Sequence, residues 1–282
     1  MQTYRISVLG IKGGVGKSTV SLLLSVELAS HGYKVLLIDR DITGTLSRIL
    51  GIKSKGLLSK ISSMENEINE TYKKIQVGTG SITIFKFGGD NIETEKATKI
   101  IIENKDLREK FIQAYKQVLL SDNFNCVIID NQPLIGFDTE IAKTEREVYE
   151  SVFKDDVKYR IYITTFPKEI LQKSLDYLIE VEGVSRYKGI SNPLAFIINK
   201  VKEDEVNEAK EFLEYALNYV NDKIKAVHKT LSLGIIIKFD SRLFLKQEMR
   251  LSELPSLYEI KKLADRVCKI DLSREIISGD KS

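Results

Sequence analysis

A glycine loop bracketed by lysines constrains this chain more than any other feature. Lys12-Gly13-Gly14-Val15-Gly16-Lys17-Ser18-Thr19 follows the apolar run Arg5 to Leu9 and opens a leucine-rich helical pattern, Ser18 to Ser30. Glycines so placed let successive backbone N–H groups turn towards one anion. The helix N-terminus adds positive potential, Lys17 adds a charge, and the Ser18 hydroxyl can hold Mg²⁺. Strand, loop and helix in this order are the context of a phosphate-binding loop. The strict GxxxxGK[ST] pattern fails, because Ile11 stands five residues before Gly16. Lys12, immediately before the glycine pair, is the addition that marks the loop as a variant.

Further apolar runs predict strands at Lys34 to Ile38, Ile82 to Phe87, Cys126 to Ile129, Arg160 to Thr164, Ala195 to Ile198 and Ile235 to Phe239. Continuous runs of this kind suit strands buried on both faces. Helical patterns at Asp106 to Leu120, Ile170 to Val181 and Glu205 to Asn221 lie between them. Such alternation predicts an α/β fold, a doubly wound, mainly parallel sheet with helices on both faces. With 282 residues and 43% apolar content, one domain spanning 1–282 is expected. The segments Lys53 to Tyr72 and Thr139 to Asp156, and a tail from about 273, are expected to be flexible.

The formal net charge is only +3, too little for a dedicated nucleic-acid protein, so any DNA contact must come from a local patch. Residues 1–60 hold nine basic against three acidic side chains, and residues 121–180 seven against twelve. Positive charge therefore gathers where the phosphate loop lies. Cys126 and Cys268 are too few and too far apart for a CxxC metal or redox centre. No leader pattern or membrane-length apolar run is present, which leads to the expectation of a cytoplasmic protein.

In a doubly wound sheet, ligands bind at the carboxyl ends of the strands. Asp39 and Asp41 stand at one such end, and phosphoryl transfer needs carboxylates to orient Mg²⁺ and an attacking water. Asp130 closes the run Cys126-Val127-Ile128-Ile129, where a carboxylate can face Mg²⁺ beside Ser18. Asn199 ends another strand, with an amide whose donor and acceptor match an adenine edge.

The loop KGGVGKST resembles the signature of the ParA/MinD family of deviant Walker A ATPases, and in appearance the chain is nearest to ParA-type DNA-partition ATPases. The resemblance runs in order from Arg5 to about Val267. It implies ATP and Mg²⁺ as cofactors, slow and partner-stimulated hydrolysis, and an ATP-bound homodimer in which Lys12 reaches the other subunit's nucleotide. Catalysis would then fall to Lys12, Lys17 and Asp41, with Asp41 positioning water and Asp39 supporting it. Ser18, Asp39 and Asp130 would hold the metal; the loop from Lys12 through Thr19, with Asn199, would bind the nucleotide. The chain departs from the family at Ile42-Thr43, at Asn131-Gln132, where two prolines are common, and at Lys238, where proline is usual.

Output differs within that family. ParA relatives bind DNA without sequence preference and work with a ParB-like adaptor, whereas MinD relatives use a C-terminal amphipathic helix on membranes. Arg242, Lys246 and Arg250, four residues apart, would line one helix face and could track phosphates. Leu257, Ile260, Leu263, Ala264 and Val267 form a pattern suited to docking on the core, and the acidic residues beyond argue against a membrane helix. DNA is therefore favoured over membrane as the surface bound. MinD-like positioning of another structure and a nucleotide-binding regulatory module without hydrolysis are the alternatives.

Overall fold

The computed structural model describes residues 3–134, 139–154, 156–183, 191–243, 250–269 and 273–279. Its strands are β1 (Tyr4–Leu9), β2 (Lys34–Asp39), β3 (Tyr72–Val77), β4 (Gly80–Lys86), β5 (Cys126–Asp130), β6 (Val157–Thr164), β7 (Asn192–Val201), β8 (Leu233–Lys238) and β9 (Glu275–Ser278). They form one sheet in the order β3-β4-β2-β5-β1-β6-β7-β8-β9. Among the described residues, only β3 runs antiparallel to its neighbour; every other pairing is parallel. This is the doubly wound P-loop architecture expected from the alternating runs.

Helices cover both faces. The set comprises α1 (Lys17–Ser30), α2 (Thr45–Ile49), α3 (Leu57–Ser62), α4 (Ile92–Glu103), α5 (Lys105–Leu119), α6 (Glu140–Val152), α7 (Lys168–Gly183), α8 (Val206–Ile224) and α9 (Tyr258–Lys269). Strand alternation sends Ile6 and Val8 of β1 into one layer with Leu24 and Leu28 of α1 and with Ile260, Leu263 and Val267 of α9. On the opposite side two separate apolar layers form. One joins β2, β4 and β5 to α3–α6, and the other joins β6 and β7 to α7 and α8. Truncating a fully buried member such as Leu24 should cost about 2–5 kcal/mol through lost burial and the cavity left behind.

The three segments expected to be flexible carry regular structure among the described residues. Lys53 to Tyr72 contains α3, whose Leu57, Leu58 and Ile61 are buried. Thr139 to Asp156 contains α6, capped by the Thr139 hydroxyl, which accepts from the Ala142 N–H. The tail region supplies β9, paired with β8 from Leu233↔Glu275 to Ile236↔Ser278. In each case a few apolar residues spaced among many charges were enough to dock the segment.

Candidate functional site

The loop between β1 and α1 turns on Gly14 and Gly16, with φ of 76° and 102°, a region that glycine enters without steric cost. Asn199, at the end of β7, braces the loop by donating its Nδ2 to the Val15 carbonyl at 2.9 Å. The approach is so close that a Cβ on Gly16 would stand 2.1 Å from that nitrogen. The Asn199 Oδ1 accepts from the Lys200 N–H at 2.9 Å, and Lys200 Nζ reaches the Gly14 carbonyl at 2.7 Å. Both ends of the Asn199 amide are therefore engaged by protein. The adenine-edge role expected for it would require that bracing to be released.

Lys17 is buried beneath the loop and donates to the Lys12 carbonyl at 3.2 Å. Burial lowers its pKa, opposed by the charges of Asp130 and Asp41. Lys12 is exposed, and among the described residues its ammonium has no partner. One lysine thus sits inside the site and the other projects from it.

Ser18 donates its hydroxyl to Asp130 Oδ2 at 2.6 Å, and Ser21, one turn along α1, approaches Oδ1 at 3.4 Å. Asp130 lies at the end of β5 in register with Asp39 at the end of β2. Both carboxylates are fully buried. Asp39 Oδ2 accepts the Ser47 N–H and hydroxyl, each at 2.8 Å, while its Oδ1 has no partner. Burial, reinforced by the nearby Asp39 charge, pushes the Asp130 carboxyl up to about 8 against the pull of Ser18 and Lys17. Burial likewise pushes Asp39 up to about 6, although Ser47 stabilises its charged form. Two buried acids, one with an orphaned oxygen, beside a serine hydroxyl are a hard-oxygen donor set that suits Mg²⁺.

Asp41 is held differently. Its Oδ1 accepts the Thr43 N–H at 2.8 Å and the Thr43 hydroxyl at 2.6 Å, leaving Oδ2 without a partner among the described residues. The side chain is half-buried at the site's mouth. Between the two aspartates, Arg40 extends the other way and joins Glu145 of α6 at 2.8 Å. Its backbone N–H donates to the Asp130 carbonyl at 3.0 Å.

Sequence reasoning missed Ser47, Lys200, Thr43 and the Arg40–Glu145 pair. Thr43 and Ser47 follow the aspartates closely enough to have suggested local hydroxyl donors; Glu145 is too distant in sequence to announce itself. At the position of the expected proline, Lys238 instead pairs with Glu203 at 3.0 Å.

The expected basic stripe is altered. Arg242 lies in a short 3₁₀ turn and its guanidinium pairs with Asp240 at 2.6 Å. Arg250 has extended backbone, and Lys246 lies outside the described residues. The two described members do not share an α-helical face, because the backbone at each is not α-helical.

Comparison with known proteins matches residues 3–149 to a family described as an AAA domain. An uncharacterized protein of Methanocaldococcus jannaschii is 34% identical over 140 residues, covering 46% of this chain and 51% of its own length. The chain spans about half or less of the first curated relatives it matches, 51% and 38%. Among solved structures, the septum site-determining protein MinD of Pyrococcus horikoshii, complexed with Mg-ADP, aligns with a TM-score of 0.58 at 20% identity, over 95% of this chain and 97% of its own. The structure of pnob8 ParA aligns at 0.59 and 14%, over 95% and 99%. These likenesses establish a shared fold.

Proposed function

Because the chain belongs to the AAA-domain family and shares the fold of MinD and ParA, we propose that it is a Mg-ATP-dependent switch ATPase that dimerises in the ATP state and carries a DNA-partition role. The observation that supports this reading is the Ser18–Asp130–Asp39 arrangement, with its 2.6 Å bond and orphaned Asp39 oxygen, beneath a glycine loop that holds a buried lysine.

Ser18, Asp39 and Asp130 would hold Mg²⁺, which supplies the positive charge that phosphoryl transfer requires. Lys17 exchanges the Lys12 carbonyl for phosphate oxygens. Asp41, fixed through one oxygen by Thr43, offers the other to a water and aligns it. Lys12, exposed and unpaired among the described residues, extends to the nucleotide of a second subunit. Asn199 lends an edge of the base pocket once its brace on Val15 is exchanged.

DNA is preferred to membrane as the output surface because α9 buries Ile260, Leu263, Ala264 and Val267 in the core and so is not a free amphipathic anchor. No described helix is long and apolar enough to cross a membrane. Arg242, Lys246 and Arg250 are the proposed duplex contacts, and a ParB-like adaptor is the proposed stimulator. Phosphate release measured for the wild type and Lys17→Ala, with and without duplex DNA, tests the reading. Slow wild-type turnover that Lys17→Ala abolishes is expected. ATP binding without any turnover would instead identify a regulatory nucleotide module, and sedimentation with anionic liposomes but not DNA would identify a membrane-positioning ATPase.

A further inference from the structure

On the face of β1 opposite α1, Arg5 and Ser7 line a cleft closed by α6. Arg5 is in register with Lys158 of β6, and Ser7 with Arg160. Together with Arg40, Arg146 and Ser191, they surround a cavity of about 40 Å³. Among the described residues, five cations line it and no acid does.

Three of those cations are already neutralised. Arg40 pairs with Glu145 at 2.8 Å, Lys158 with Glu150 at 2.9 Å and Asp156 at 3.4 Å, and Arg160 with Glu182 at 2.9 Å. Arg5 and Arg146 have no carboxylate partner among the described residues. The Arg5 guanidinium lies 4.4 Å from the centre of the Tyr149 ring, which fixes its plane. Its Nε is nonetheless buried without a hydrogen-bond partner, and so is the Ser191 Oγ. Buried donors are rarely left so, and two unpaired guanidiniums beside a hydroxyl are the donor set that recognises a tetrahedral anion.

We propose that this cleft binds a small tetrahedral oxyanion of the phosphate class, at a site separate from the phosphate loop. Arg5 and Arg146 supply donors for such an anion, and the cavity's size suits an inorganic anion better than an organic phosphate. Free phosphate and the phosphoryl group of a small ester share this chemistry. Because Arg40 and Asn131 also line the cleft, its occupant touches the residues that directly follow Asp39 and Asp130.

Calorimetric titration of inorganic phosphate into the full chain tests the site. The loop is disabled by Lys17→Ala in one series and filled with Mg-ADP in another. Binding in the millimolar range or tighter is expected in both. Arg146→Ala should weaken it about tenfold, the effect of removing one charge-assisted hydrogen bond, with thermal unfolding unchanged; Arg5→Gln should do the same. Glycerol phosphate titrated in parallel separates the sources: weaker binding than phosphate identifies the free anion, and tighter binding identifies an ester. Absence of binding by both, loss of phosphate binding in Lys17→Ala, or an Arg146→Ala protein that binds like wild type would overturn the proposal. The phosphate readout does not depend on turnover, so it stands or falls apart from the ATPase reading.

Discussion

Asp39 and Asp130 end adjacent parallel strands as register partners, so two carboxylates are buried side by side with one oxygen of Asp39 unsatisfied. Such a pair costs free energy until a cation arrives. Asp130→Asn should therefore make the nucleotide-free protein more stable, on the order of 1–2 kcal/mol, while abolishing the extra stability conferred by Mg-ATP. Denaturant unfolding with and without Mg-ATP reads both effects. A variant destabilised in the free state would refute the burden assigned to the pair.

Asp41 differs from its neighbour in having one oxygen committed to Thr43 and the other open. Asp41→Ala should retain ATP affinity and lose about a hundredfold in turnover, the scale of a positioned group in proton and phosphoryl transfer. Single-turnover phosphate release alongside nucleotide titration checks this. Equal losses in binding and turnover would reassign Asp41 to the binding of nucleotide.

Gly16 combines a φ of 102° with Asn199 packed against its α-carbon. Gly16→Ala should cost about 1–3 kcal/mol through backbone strain and displaced packing. It should also release the Asn199 brace. Urea unfolding measures the loss of stability, and nucleotide titration measures the distortion of the phosphate loop.

Asp122, mostly buried, is held between Lys34, at 2.7 Å, and Lys74. Burial works against its charge, yet the hydrogen bonds from Lys34 and Lys74 prevail and draw its pKa down to about 2. A folded-state pKa below the unfolded value adds stability above the unfolded pKa, and that stability is lost as pH falls towards about 2. Because both lysines are exposed, screening should leave on the order of 1 kcal/mol. Asp122→Asn should remove that amount at neutral pH and flatten the acid limb of a stability-against-pH curve. An acid limb identical to wild type would exclude this pair as its source.

The ATP-bound form should hold duplex DNA through Arg242, Lys246 and Arg250. The triple alanine variant should still dimerise with ATP. Its slope of log affinity against log salt should fall by about 0.9 for each DNA phosphate that is no longer neutralised. Gel filtration and binding curves over a salt series decide the matter, and an unchanged slope removes these side chains from the interface.

The central sheet was legible because β2, β5, β7 and β8 are largely buried on both faces and carry continuous apolar runs, and β1 leads directly into the glycine loop. β3 was not. Its sequence YKKIQV is an antiparallel edge with no fully buried side chain, and three of its residues carry charge or an amide. α6 escaped notice because Ile141, Val148 and Tyr149 are scattered among acids, so its apolar face emerges only when it docks against α5. At the site, Lys17, Ser18, Asp39, Asp41 and Asp130 lie where strand ends should place them. The Ser47 hydrogen bonds, the Arg40–Glu145 pair and the Asn199 brace depend on tertiary approach, which no local spacing encodes.

β1 is threaded between β5 and β6, and α1 shares its apolar layer with α9. As the chain leaves a ribosome, the glycine loop is made before the strands that wall it. It then waits for most of the polypeptide before its walls exist. Nucleotide offered during synthesis meets only a loose ribbon, so the capacity to read ATP is acquired late and together with the closed sheet.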